Sequence, residues 1–138
     1  MSQIEVDKVI PQSGTNLQIG EAGDTINLTT ATVNLPTGVG GTSWQAVKTA
    51  NFTAVAGEGY FVNTTGGVIT ATLPSSATIG NEVSIIDYAG TEDTNNITIG
   101  RNGHNIQGAA SDMTVTTERA AFTLVYVDST QGWLLRDK

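Results

Sequence analysis

The side chains able to do chemistry in this chain are few and scattered. His104 is the only histidine and lies in the turn RNGHN beside Arg101 and Asn102. A Ser/His/Asp site would have to borrow Ser111 with Asp112 or Asp87, and no GxSxG elbow exists to display a nucleophile. One imidazole cannot make a histidine-pair metal site, and Glu92-Asp93 lacks the D-x-D-x-D-G spacing of a calcium loop. Glycoside hydrolysis needs two carboxyl groups flanking the scissile bond. Glu58, Glu82, Asp87 and Asp128 are available, but nothing in their spacing ties two of them to one cleft. The run GVGG has no GxGxxG or GKS context for a nucleotide. We read the chain as a non-enzyme with no metal and no cofactor.

Binding is the remaining use for these residues. The segments TEDTNN and RNGHN are candidate ligand-contact loops, in which Asn95, Asn96, Arg101, Asn102 and His104 could hydrogen-bond a saccharide while Tyr88 or Trp44 stacks on it. Asn and Gly are equally what tight turns demand. Trp44 and Trp133 each open a predicted strand at an edge of the same region. There a large aromatic either closes the core or offers a platform for a sugar ring.

The elements that must position these groups follow from composition. With 138 residues there is room for one ordinary domain and a small extension. The sequence holds 22 Thr and 16 Gly but only 3 Pro. Thr is restricted at χ1 in a helix and packs well on a pleated surface, so the chain is expected to be all-β. Net charge is −7 and the six Lys and Arg are dispersed, which argues against nucleic acid and against an anionic membrane surface. No apolar run approaches the roughly 20 residues of a spanning helix, so no membrane insertion is expected. With no Cys, stability outside a cell would have to come from packing or oligomerisation. The opening MSQIEVDKVI does not read as an export signal, because Glu5, Asp7 and Lys8 interrupt any apolar core.

The chain is expected to divide near residue 43. Ile4, Val6 and Ile10 alternate, and three apolar pairs follow, Leu17/Ile19, Ile26/Leu28 and Val33/Leu35, separated by GEAGD or TTAT. Such strandlets cannot bury an apolar face alone. They either form a meander folded onto the rest of the chain or, as we expect, an arm intertwined or β-helix-like within a trimer. PTGVGGTS, residues 36–43, is the linker. Residues 44–138 then show strand signals at 44–47, 59–64, 68–73, 83–88, 97–99, 113–117, 122–128 and 133–136. Turn residues separate them, and no stretch has helical periodicity. This spacing predicts an antiparallel β-sandwich or jelly-roll-like knob, with Val83–Ile86 and Leu124–Val127 as central strands.

GYFVNTTGGVITATLPSSATIGNEVSIIDYAG, then TNNITIGRNGHNIQG, then LVYVDSTQGW, resembles a domain recurring in fibre and other virion structural proteins of tailed bacteriophages, marine ones especially. The likeness spans residues 44–138, and SGTNLQIGEAGDTINL is similar, over a shorter stretch, to the Gly-cornered repeats of phage fibres. The resemblance implies a homotrimeric component of the virion surface, assembled in the host cytoplasm, whose N-terminal segment docks on a capsid or tail protein or knits three chains together. It brings no catalytic residues. A fibre, spike or decoration role and a receptor-binding role toward a host glycan or protein are both compatible with it. The near-absence of a shaft and of a C-terminal chaperone region leaves head and tail both open as its location.

Overall fold

The computed structural model describes residues 41–137. The arm residues Ile4, Val6, Leu17, Ile19, Ile26, Leu28, Val33 and Leu35 lie outside the described residues.

The described residues are all-β. In chain order the strands are β1 (Ser43–Trp44), β2 (Phe52–Thr53), β3 (Glu58–Val62), β4 (Ile69–Thr72), β5 (Glu82–Asp87), β6 (Ile97–Gly100), β7 (Met113–Val115), β8 (Ala121–Asp128) and β9 (Gly132–Leu135). A single 3-10 turn, Thr64–Gly66, is capped by Asn63, whose side chain accepts from the Thr65 amide. Strand positions match the expected ones closely, apart from the unforeseen β2. Two residues are too few to show alternation.

The pairing differs from the expectation. One sheet has the order β1-β3-β5-β8-β9 and the other β2-β4-β6-β7. The first six strands alternate between the sheets, and each return lays a new strand parallel to the one before it. Trp44 pairs with Gly59 and Gly59 with Ser84 in the first sheet, while Phe52 pairs with Ala71 and Ala71 with Ile99 in the second. Only β5–β8, β6–β7 and β8–β9 are antiparallel. The expected antiparallel pairing is therefore corrected: both sheets are mixed, with a wound path and a folded-back C-terminal end. The physical reason is that turn residues mark where a strand stops but not whether the chain returns beside it or crosses to the other sheet. Connections such as Thr53–Glu58 and Val62–Ile69 cross.

One apolar cluster draws on both sheets. Tyr60, Val62, Val83, Ile85, Leu124 and Trp133 come from the first, and Ile69, Ala71, Ile97 and Ile99 from the second. Alternation explains the selection. In β3 and β5 the residues Tyr60, Val62, Val83 and Ile85 share the inner face, leaving Gly59, Phe61, Ser84 and Ile86 outside. In β8 the inner residues are Phe122, Leu124 and Tyr126. Lys48 lays its ammonium 5.6 Å from the ring centres of both Phe52 and Tyr60, shielding that part of the cluster.

The last hairpin turns on Gly132, at φ +71°, where a Cβ would collide with the Asn105 carbonyl oxygen. That carbonyl accepts from the Trp133 amide at 2.9 Å, so the close approach is what seats Trp133 in the core. Gly103 also has positive φ, +92°, but open space around its Cβ direction. We expect Gly103→Ala to cost about 1 kcal/mol, the penalty of the left-handed backbone alone. Gly132→Ala should cost several times more, because backbone must also move. Paired urea melts of the two variants check this, and equal losses would show that the Asn105 contact carries no weight.

Candidate functional site

The registers of the first sheet place one outward-facing row across four strands: Trp44 on β1, Gly59 on β3, Ser84 on β5 and Thr123 on β8. Just past β9, the Arg136 amide donates to the Thr123 carbonyl, which continues the row to a fifth member. Small residues occupy the middle and large ones the ends. Gly59 is required here, since a Cβ would sit 2.6 Å from Trp44 Cε3; its absence lets the indole lie down on the sheet. The indole stacks on Phe61, the next outward residue of β3, with ring centres 4.9 Å apart and planes at 28°. Trp44 is nevertheless 47% exposed. The core-closing alternative for this residue does not hold, whereas Trp133 is fully buried and takes that role.

The polar members are fixed by one another. Ser84 and Thr123 are buried, their Oγ and Oγ1 hydrogen-bonding each other at 3.0 Å, whereas Arg136 Nη1 pairs in the open with Glu82 Oε1 at 2.8 Å. Two shallow depressions flank the row. One, of about 350 Å³, includes Trp44, Ser84, Ile86, Thr123 and Arg136 in its lining. The other, of about 400 Å³, is lined by Glu58, Asn81, Glu82, Ser84 and Arg136 among others. The fold thus brings Glu58 and Glu82 to one depression, which their positions in the sequence concealed. Both carboxylates are engaged: Glu58 accepts from the Tyr60 hydroxyl and Glu82 from Arg136. Burial, together with that bond to Glu58, pushes the Tyr60 phenol up to about 12, while the Val55 amide donating to its oxygen pulls the other way. The arrangement is suited to holding a polar ligand in place.

The loop residues expected to contact a ligand are placed separately from this row. Arg101 Nη1 donates to the His104 carbonyl, Asn102 Nδ2 to the Leu73 carbonyl and His104 Nε2 to the Ser75 carbonyl. His104 also meets Tyr126 edge-on at 4.9 Å. RNGHN is thereby tied to the TLPSS turn, with Asn102 at φ +46°. In the other loop, the Asn95 amide donates to the Thr91 carbonyl, and Asn96 accepts from the Thr98 hydroxyl. Tyr88 is exposed.

Within TEDTNN the unexpected residue is Glu92, which is fully buried with neither carboxylate oxygen hydrogen-bonded. Thr64 and Asp87 are buried at the same end of the sheet, and Thr64 Oγ1 bonds Thr91 Oγ1 at 2.9 Å. Asp87 is satisfied by the amides of Ala89, Gly90 and Arg119. Among the described residues no group of three or more acidic, histidine or cysteine side chains is arranged to hold a metal. Burial, reinforced by the charge of Asp87, pushes the Glu92 carboxyl up to about 7 from its ordinary 4.5. Between those values the unfolded chain has released the proton and the folded chain still holds it. Stability therefore falls as pH rises from about 4.5 to about 7 and levels off above, by up to about 3 kcal/mol. Melting curves of wild type and Glu92→Gln should coincide at pH 4 and separate with rising pH, the variant being the more stable. Parallel curves would refute the assignment.

No protein-family model matches the chain, and a search of curated proteins returns no match.

Proposed function

We propose that this chain is a non-catalytic structural component of a tailed-phage virion, a short homotrimeric fibre, spike or decoration protein. In this reading residues 1–43 trimerise or dock on a capsid or tail protein, and residues 44–138 form a two-sheet sandwich knob at the virion surface. The observation that carries it is the contrast between the two ends of the first sheet. The β9 edge is covered by its own chain, with Gln107 and Gly108 amides donating to Trp133 and Gln131 carbonyls. At the other end β1 is the terminal strand, no strand among the described residues pairs along its outer edge, and Val47 beside it is exposed. Proteins cover such edges, so the open one is the end suited to assembly. The resemblance to phage fibre domains supports the same reading.

A second reading, recognition of a host-surface receptor, is favoured by the half-exposed Trp44 on its row. The two are compatible, because a partner strand added along β1 leaves the outer face of the sheet open.

Native mass spectrometry should give a trimer for the full chain. Deleting residues 1–35 should yield a monomer that keeps its β circular-dichroism signal and no longer attaches to particles. A full-length monomer would sink the trimer.

A further inference from the structure

We infer that the outer face of the first sheet is a saccharide-binding site for neutral pyranose sugars, centred on Trp44 and reaching across the buried Ser84 and Thr123 to the exposed Arg136–Glu82 pair. This rests on the receptor-recognition reading and gives it a ligand class and a location.

A pyranose presents two surfaces to a protein. One is a flat patch of C–H groups that stacks on an aromatic face, and the other is a rim of hydroxyls that needs both donors and acceptors. Trp44 supplies the first. Its ring is held flat by the missing side chain at Gly59 and backed by Phe61 at 4.9 Å, so the platform is rigid before any ligand arrives. A preset aromatic loses little conformational freedom on binding.

The rim is met by exposed groups of the two flanking depressions: Arg136, which lines both, donates, and Glu82, in the second, accepts, while the Ser84 and Thr123 hydroxyls are buried and bonded to each other as the floor between them. The Arg136–Glu82 pair at 2.8 Å is exposed to solvent and can rearrange to share its hydrogen bonds with a ligand.

Charge decides the class of sugar. Among the described residues Arg136 is the one cation lining either depression, and it is offset by Glu82, Asp137 and Glu58. It also bonds Asp137, through Nε at 3.3 Å. A sialic or uronic acid would therefore meet a surface with more negative than positive groups, on a chain of net charge −7. Neutral hexoses carry no such penalty. The shallowness of the face suits a surface polysaccharide passing over it, with one ring on Trp44 and its neighbour toward Glu82 and Asn81.

The test uses the full chain and its two tryptophans. Trp133 is buried and Trp44 is not, so ligand-induced change in tryptophan emission reports on Trp44. Titration with linear tri- and tetrasaccharides of glucose, galactose and mannose should give saturable emission changes for at least one series. Sialyl and glucuronyl counterparts should bind at least tenfold more weakly. Trp44→Ala should lose binding at least tenfold by calorimetry, and Trp44→Phe should recover part of it. Matched melting temperatures for both variants, expected for an outward side chain, separate lost binding from lost fold. Failure of every neutral series to bind, preference for the acidic sugars, or undiminished binding by Trp44→Ala would each overturn the assignment. None of these outcomes bears on the trimer, which native mass reads independently.

Discussion

The described structure depends on one constraint: strands of at most eight residues must be covered on their inner face by strands of the opposite sheet. Tyr60 and Val62, Val83 and Ile85, and Leu124 need Ile69, Ala71, Ile97 and Ile99 across from them, since no strand this short is stable as part of a bare sheet. Crossing to the other sheet after each of the first five strands supplies that cover as the chain advances. β3 is followed by β4 and β5 by β6, each time in the opposite sheet. The wound path and its parallel ladders follow from covering each strand promptly. The antiparallel end finishes the winding by adding β7 beside β6 in the second sheet and β8 and β9 beside β5 in the first.

That constraint fixes what the outer face can be. Once Tyr60, Ile85 and Leu124 are inside, the period of two sends Gly59, Ser84 and Thr123 outward, and the registers align them. None of the three was conspicuous in the sequence. Ser84 lies in the run Val83–Ile86, which reads as almost wholly apolar, and Gly59 looks like a turn residue beside Gly57. Strand positions were legible because Thr, Val and Ile cluster between Gly, Asn and Pro. Partnership was not, because a parallel pair such as Gly59 and Ser84 is joined by a long excursion through the other sheet that leaves no local mark.

The two tryptophans show the same limit from the other side. Both open a strand beside a glycine-containing segment, and residue type gives them equal claims on core or surface. Trp133 is drawn in because Gly132, at positive φ, lets the backbone approach Asn105 and points the indole inward. Trp44 is turned out because its partner Gly59 offers a flat outer floor. A glycine decides each case, one by its own dihedral and one by the space it leaves on a neighbouring strand. Only the first kind of effect lies next to the affected residue in the sequence.

Polar loop residues divide along similar lines. Arg101, Asn102 and His104 are drawn to carbonyls of their own chain, because a crossing connection leaves turn carbonyls such as Leu73 and Ser75 beside a later turn. The composition that suggested ligand contact is the composition that loop-to-loop ties require. Glu92 runs the opposite way. An acidic residue in an acidic loop reads as solvated, yet it is enclosed with no hydrogen-bond partner, at a cost that its proton relieves. Arg119 lies near this cluster, but its guanidinium is directed to the Tyr88 carbonyl over Gly90, where a Cβ would sit 2.6 Å from Nε. That guanidinium is thus committed to backbone, and a proton neutralises Glu92 as the pH falls.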